Sequence, residues 1–554
     1  MGTWILPQSD GTLYVDKRTE EAEDICRLLD GFARKLRTGG TLETYRIDRF
    51  SLWEAAARGL TSGDVLNVLE RYAKLPPPEP LIRLIRESME NFGNILLLPA
   101  EGESDRFLLV SRKEGWLDKL VSHPRLEGQA KRTERGLLIP NRWRGEVKRI
   151  CLELGAPALD RIGTEDGRPL SVRLATGNHF PGLREYQREA AEAFCDPRRC
   201  PSAGGVIVLP CGAGKTVTAL AVMAKLGRET LILTPGSTSS KQWIREILQK
   251  TSLTEDEVGE YSSERKEIRP LTVTTYQMMT YRDRDGTFPH MSLFMKRDWG
   301  LIIYDEVHLL PAPVFRATSQ IQGKRRLGLT ATLVREDGRE GDVFTLIGPR
   351  IMEASWKEME RDGWIAEAEL NEVRVPMDAS LRERYLKAGK REQFRLAAEN
   401  PRKLEAVRKL LRKHEDDQVL IIGQYLDQLE HLSETLGIPV ITGRTPRERR
   451  EECYRLFREK AIKVLAVSRI ANMAVDLPGA GVAIQVSGTF GSRQEEAQRL
   501  GRILRPVPGG RKARFYHLVS EDSVELDFAW KRQSWLRERG YDYRVTSVEE
   551  CEER

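Results

Sequence analysis

From about residue 180 onward the apolar positions fall in short unbroken runs. They cover 205–210, 231–234, 272–275, 301–304 and 327–329, separated by stretches with helical patterning. Runs without polar alternation mark strands buried on both faces, as in a parallel sheet covered by helices. A second series follows at 419–422, 440–442, 464–467, 482–487 and 514–518. The pattern predicts two consecutive α/β domains, joined through about 352–375. After that join, 378–400 is strongly charged and reads as an inserted helical pair.

Upstream the texture differs. Segments 50–58 and 63–74 are short amphipathic helices parted by Gly59, Leu60, Thr61 and Ser62, with Ser62 placed to cap the second. Pro76, Pro77 and Pro78 stop that helix, and 81–91 forms a third. Two apolar strands, 94–99 and 106–111, are joined by a polar turn. Three helices and a hairpin suggest a winged-helix-like module over 1–125, which either docks on DNA or a partner or serves as a packing scaffold. Segments 136–140, 142–155 and 171–175 read as strand, helix, strand, a small βαβ-like module over 126–178. Its Trp143, between Arg142 and Arg144, either stacks on a base or phosphate or covers a core.

Length and composition narrow the classes. At ~150 residues per domain, 554 residues hold three to four domains. Hydrophobic residues are 40% and charged residues 31%, a soluble globular balance. Lys and Arg number 89 against 83 Asp and Glu, so a tail-driven polycation is excluded and a nucleic-acid surface depends on where the charges sit. Seven scattered cysteines point to a reducing compartment without a disulfide framework. The one close pair, Cys195 and Cys200, reads as two ordinary thiols. No apolar run approaches the ~20 residues of a membrane span, and no secretory pattern opens the chain. A cytoplasmic monomer without membrane partners is expected.

The candidate chemistry lies in the two α/β domains. Leu209, Pro210, Cys211, Gly212, Ala213, Gly214, Lys215 and Thr216 follow a buried strand and open a helix. This is the context of a phosphate-binding loop. Gly212 and Gly214 free the backbone so that N–H groups can face phosphates at a helix N-terminus. Lys215 supplies a charge for the β- and γ-phosphates and Thr216 a hydroxyl for Mg²⁺. The strict pattern has glycine where this chain has Leu209. The run 301–304 ends in Asp305, Glu306, Val307 and His308. Asp305 at a strand's carboxyl end is placed to hold Mg²⁺, and Glu306 to act as general base on water. Alone, the two would read as solvated acids; Lys215 makes them a site. His308 either relays the γ-phosphate state or simply packs. In the second domain Gln498, Arg502 and Arg505 share one helical face at i, i+4 and i+7. Two guanidiniums there fit arginine fingers.

Taken in order, 183–187, 209–216, 305–308, 328–332 and 498–505 resemble the motif series of superfamily 2 helicases and translocases. LPCGAGKT (209–216), DEVHLLPAPVFR (305–316), LGLTATLVREDG (327–338) and GTFGSRQEEAQRLGRILRP (488–506) are similar to the XPB branch, its compact bacterial or archaeal form in particular. The resemblance covers about 180–535. It implies two tandem RecA-like P-loop NTPase domains, at 179–360 and at 361–554 with a helical C-terminal end. It implies ATP and Mg²⁺ as cofactors. It gives Arg184 and Gln187 to adenine recognition, and Thr330 and Thr332 to coupling hydrolysis to movement. Arg335, Glu336 and Asp337 match an element tied to strand separation. Pro235, Gly236, Thr274, Thr275 and Ser468 match positions that touch one nucleic-acid strand. Residues 378–400 sit where the family carries a thumb-like insertion, and 126–178 where it carries a damage-recognition domain.

The implied activity is a DNA-dependent ATPase and 3'-5' DNA helicase of nucleotide-excision repair or transcription-linked opening. Its binding to single-stranded and duplex DNA junctions would be sequence-tolerant. Alternatives are a duplex translocase that does not separate strands, an RNA helicase, and a nucleotide-switched scaffold for a partner nuclease. No RNA-binding signature accompanies the core, and no nuclease constellation is present, so DNA cutting would need a partner.

Overall fold

The computed structural model describes residues 4–16, 18, 21–37, 41–175, 180, 182–200, 204–332, 340–468, 480–488, 496, 499–501, 503–504 and 512–552. Backbone contacts divide the chain into two compact units, one built chiefly from 1–353 and the other chiefly from 354–554.

The first unit contains three sheets. The N-terminal one is antiparallel, with the order Ile5–Pro7, Thr12–Asp16, Leu42–Arg46, Arg34–Arg37. Helices Ala22–Asp30, Arg49–Ala57, Ser62–Tyr72 and Glu79–Asn91 accompany it. The core gathers Leu13, Val15, Ile25, Leu29, Tyr45, Leu52, Val65, Leu69 and Ile85. Sequence patterning finds the last three helices and misses this sheet. Its strands are three to five residues long, and ones such as LETYR bury only alternate residues. Thr61, not Ser62, caps Ser62–Tyr72: its side chain accepts from Asp64 N while Asp64 returns the bond to Thr61 N.

The hairpin Ile95–Pro99 and Arg106–Ser111 does not close the N-terminal helical module. Arg106–Ser111 pairs antiparallel with Leu137–Pro140, and Ile95–Pro99 pairs parallel with Leu159–Asp160. With Lys131–Arg132 these make one five-stranded sheet, so the expected division at 125/126 runs through a single sheet. Of the expected strand at 171–175, the isolated bridge Leu174 to Thr251 is what forms. The hydrophobic pattern marks strands but does not say which strand each one pairs with.

The helix Arg144–Glu153 covers this sheet and also packs on the helices Ala312–Gln320 and Glu340–Leu346. Gly145 makes that approach possible, since a Cβ there would lie 2.5 Å from the Ser319 Cβ and carbonyl oxygen. Lys148 Nζ donates to Gln322 Oε1 at 2.7 Å, and Arg350 Nη2 donates to Glu54 at 2.7 Å. Arg144 does not offer a phosphate contact. It is buried and donates Nε and Nη2 to Asp160 at 2.7 and 2.8 Å. Trp143 is half-buried against the module's core.

The third sheet has seven parallel strands in the order Val258–Tyr261, Leu271–Thr275, Thr230–Thr234, Leu301–Tyr304, Arg325–Thr330, Gly204–Val208, Arg350–Glu353. Most of these strands have every residue buried, as their unbroken apolar runs require. The second unit repeats the plan: Val440–Ile441, Val464–Ser468, Val419–Gly423, Val482–Gln485, Ala513–Ser520, Ala368–Val375, Tyr543–Ser547. Residues 378–400 form the helical pair Ala379–Lys387 and Lys390–Ala398. Among the described residues no helix is long and apolar enough to cross a membrane.

Candidate nucleotide site

The phosphate-loop residues connect the strand Gly204–Val208 to the helix Lys215–Leu226. Gly212 and Gly214 both have left-handed backbones, φ 83° and 82°, where a side chain would be strained. Gly214 is also crowded, because a Cβ would lie 2.6 Å from Gln187 Nε2. Gln187 is buried on the helix Glu185–Cys195, and its Oε1 accepts from Arg184 N at 3.1 Å. Arg184 donates to the Tyr186 hydroxyl at 3.1 Å. The residues assigned to adenine thus sit against the phosphate loop. Cys211, Gly212 and Ala213 form its turn, closed by Ala213 N donating to Pro210 O. Thr216 lies in the helix's first turn.

The parallel register brings the acids to the same place. Strand Leu301–Tyr304 lies beside Arg325–Thr330, which lies beside Gly204–Val208. Lys215 Nζ reaches Glu306 Oε1 at 2.6 Å. Glu306 holds a left-handed backbone, φ 46° and ψ 55°, an uncommon conformation for a residue with a side chain. Its other oxygen, Oε2, makes no well-formed hydrogen bond among the described residues and lies 3.5 Å from His308 Nδ1. Burial disfavours the Glu306 charge, but Lys215 and His308 outweigh burial and hold its carboxyl below the usual value. At Asp305, burial and then the Glu306 charge push the carboxyl up to about 6. Asp305 Oδ2 accepts from Trp243 Nε1 at 2.9 Å, and its carbonyl from the Tyr276 hydroxyl at 2.8 Å. Sequence reading misses both partners: Trp243 and Tyr276 look like core aromatics, and nothing local ties them to an acid.

From Glu306 a chain of contacts runs on. His308 is buried, and its Nδ1 lies 2.7 Å from Thr330 Oγ1. The Thr330 hydroxyl donates to Thr332 O at 2.6 Å and accepts from Thr332 N at 3.1 Å. Since its one proton goes to Thr332, His308 Nδ1 is the donor to Thr330. Glu306, His308, Thr330 and Thr332 therefore form one connected group.

Pro235 and Gly236 follow the strand ending at Thr234, and Thr274 and Thr275 end the adjacent strand in register with it. All four lie at the carboxyl edge of the sheet. Both threonine hydroxyls are engaged internally: Thr274 donates to Tyr261 O at 2.8 Å, and Thr275 accepts from Met278 N at 3.0 Å. Ser468 ends a strand of the second unit and is buried. Arg335, Glu336, Asp337, Gln498, Arg502 and Arg505 lie outside the described residues. Two neighbours missed by sequence reading do appear. Arg499 donates to Gln485 Oε1 at 2.6 Å, and Glu496 accepts from Gln485 and Tyr543, each at 3.3 Å.

The donor set fits a nucleotide with its magnesium: left-handed glycines at a helix N-terminus, a lysine, a hydroxyl, and two acids of which one keeps an uncommitted oxygen.

Residues 359–554 match the family model of the ERCC3/RAD25/XPB C-terminal helicase. Residues 181–335 match that of the type III restriction enzyme res subunit, and 5–134 one described as a helicase conserved C-terminal domain. The chain is 46% identical over 552 residues to the DNA 3'-5' helicase XPB of Mycobacterium tuberculosis, covering 99% of this chain and 98% of that protein. It is 44% identical over 551 residues to the DNA 3'-5' helicase XPB of Kineococcus radiotolerans, covering 99% and 97%. Against the general transcription and DNA repair factor IIH helicase/translocase subunit XPB of Antonospora locustae, identity is 33% over 567 residues, covering 98% and 82%. Identity of this extent over nearly the whole chain makes the protein a member of the XPB family of superfamily 2 helicases.

Proposed function

We propose that this protein is an ATP-dependent DNA helicase with 3'-5' polarity that opens duplex DNA in excision repair or transcription-linked processes. The observation that carries the reading is the group Lys215–Glu306–His308–Thr330–Thr332, which joins the hydrolytic base to the segment assigned to movement.

Gly212, Ala213, Gly214 and Lys215 would hold the phosphates, Arg184 and Gln187 the adenine, and Thr216 and Asp305 the Mg²⁺. The ion, when bound, neutralises charge on the phosphate oxygens. Glu306 Oε2 takes the proton of the attacking water, and its low affinity for protons when paired with Lys215 keeps it ionised for that task. Arg502 and Arg505 act as fingers on the charge that develops in transfer. Arg335, Glu336 and Asp337 serve strand separation. Pro235, Gly236, Thr274, Thr275 and Ser468 line the path of one strand, with backbone groups making the contacts where hydroxyls are already engaged. The protein works in the nucleoid with DNA as its principal partner, and a separate nuclease performs any cutting.

ATP hydrolysis is to be measured with and without single-stranded and duplex DNA. DNA should stimulate the wild type, and Glu306→Gln should lower turnover by about 10² or more. Lys215→Ala should abolish it; wild-type rates in that variant would sink the site. Displacement of 3'-tailed but not 5'-tailed strands then settles unwinding and polarity together. Absence of displacement with intact stimulation would favour duplex translocation, the alternative carried in the Antonospora relative's name.

A further inference from the structure

A cleft of about 810 Å³ in the second unit has no role in the reading above. It opens between the helices Ala379–Lys387 and Lys390–Ala398 and the turn that follows the strand Val419–Gly423. Its walls are fixed in place. Val524 N donates to the Tyr385 hydroxyl at 2.9 Å, Phe394 packs edge-on against Phe528 at 5.0 Å, and Gln428 Nε2 donates to Ala398 O at 2.8 Å. Gln424 N donates to Ser487 Oγ at 2.8 Å, tying the turn to the adjacent strand. The location is a crevice by topology. The chain leaves Val419–Gly423 for strands on one side, then crosses it to Val482–Gln485 on the other. Ligands favour such points at the carboxyl ends of parallel strands.

Three kinds of group converge in the cleft. Arg384 and Arg391 are exposed and form no ion pair among the described residues. Arg395 is held by Glu399 at 2.9 Å and Asp427 at 2.7 Å, with its guanidinium 5.8 Å from the Tyr425 ring centre. Glu399 Oε1 and Gln424 Oε1 are buried acceptors without a hydrogen bond among the described residues. Buried acceptors of this kind call for a donor from outside the fold. An inorganic anion would satisfy the arginines but face two bare acceptors. An organic cation would satisfy the acceptors but face three guanidiniums. A nucleotide carries the full complement: an anionic phosphate, a flat ring, and N–H donors on the base edge.

We propose that this cleft binds a single nucleotide unit, with its phosphate on Arg384 and Arg391, its base on Tyr425, and a base N–H on Gln424 Oε1 and Glu399 Oε1. Every base offers an amino or ring N–H, so occupancy is tolerant of sequence. A nucleotide of a DNA strand and a free mononucleotide present the same chemistry; the strand source rests on the helicase reading, whereas the cleft's own chemistry does not.

The test uses the full chain with excess ADP to fill the motor site. The probes are a labelled oligothymidylate, its abasic counterpart, and deoxycytidine monophosphate. Arg384→Gln with Arg391→Gln should weaken oligothymidylate binding about tenfold and reduce its log–log salt slope by about 0.7, the value for one phosphate on a single strand. Tyr425→Leu should weaken oligothymidylate about fivefold or more and leave the abasic strand within twofold. If the source is a free nucleotide, deoxycytidine monophosphate binds the wild type, is lost in both variants, and oligothymidylate affinity is unchanged. A wild type that ignores oligothymidylate but shows arginine-dependent monophosphate binding overturns the strand reading and keeps the cleft. Unchanged affinity for both base-bearing probes in both variants overturns the proposal, as does Tyr425→Leu weakening the abasic strand equally.

Discussion

Thr330 is the residue at which the proposed hydrolytic base and the segment assigned to movement meet. Its hydroxyl accepts from His308 and Thr332 and donates back to Thr332, so the position requires a hydroxyl. Valine would keep the β-branched shape and remove every one of these bonds. Thr330→Val should therefore lower the DNA-stimulated ATPase by at least about tenfold, since even one of these buried hydrogen bonds lost is worth ~1.4 kcal/mol. Nucleotide affinity, measured by titration, should stay near wild type; a matched fall in affinity would show that Thr330 only supports the site's shape. The sequence marks Thr330 and His308 separately and does not pair them. They are 22 residues apart, and it is the register Tyr304 to Gly328 that brings the ends of their strands together.

At the scale of one element, the helix Arg144–Glu153 shows what periodicity leaves out. Its position is legible, but its basic residues look like a solvated face. Instead Arg144, Lys148, Arg326 and Asp160 are all buried together, three cations around one carboxylate. Burial, only partly offset by Asp160, lowers the Lys148 ammonium to about 7. The unfolded chain keeps that proton up to about 10.4. Between those values unfolding takes up a proton, so stability rises with pH, by at most about 1.4 kcal/mol per pH unit. Below about pH 7 both states are protonated and the cost of the buried charge is constant. Lys148→Met removes the climb. The difference in unfolding free energy between wild type and Lys148→Met, from urea titrations, should grow in favour of the wild type from pH 7 to 10. A flat difference would show that Lys148 keeps its proton in the folded protein over this range.

Over the whole molecule, the two parallel sheets are the most legible part, because strands buried on both faces cannot alternate in polarity. Less legible are the edges, where Arg350–Glu353 and Tyr543–Ser547 are added from far along the chain, and the N-terminal antiparallel sheet, whose strands mix basic and apolar residues. The phosphate loop and the acids were visible because their chemistry is local. Their supports, Trp243 and Tyr276, were not, because they arrive by long-range packing. The small net charge of +6 suits a motor that must release its track each cycle, and it leaves recognition to local groups such as those lining the cleft of the second unit.

The left-handed backbone at Glu306 sets fold against function. An L-residue other than asparagine, aspartate or glycine carries about 1–2 kcal/mol of strain there. Glu306→Asn and Glu306→Ala both remove the base, but asparagine accepts the conformation. Glu306→Asn should melt about 2–4 °C above Glu306→Ala, and equal melting temperatures would show that the position is unstrained. With the role proposed for Glu306, selection for turnover is what would hold glutamate in place. In a lineage that kept nucleotide binding but gave up hydrolysis, position 306 would be among the first to drift, toward asparagine or glycine, and its identity would serve as a historical marker of which relatives still run the motor.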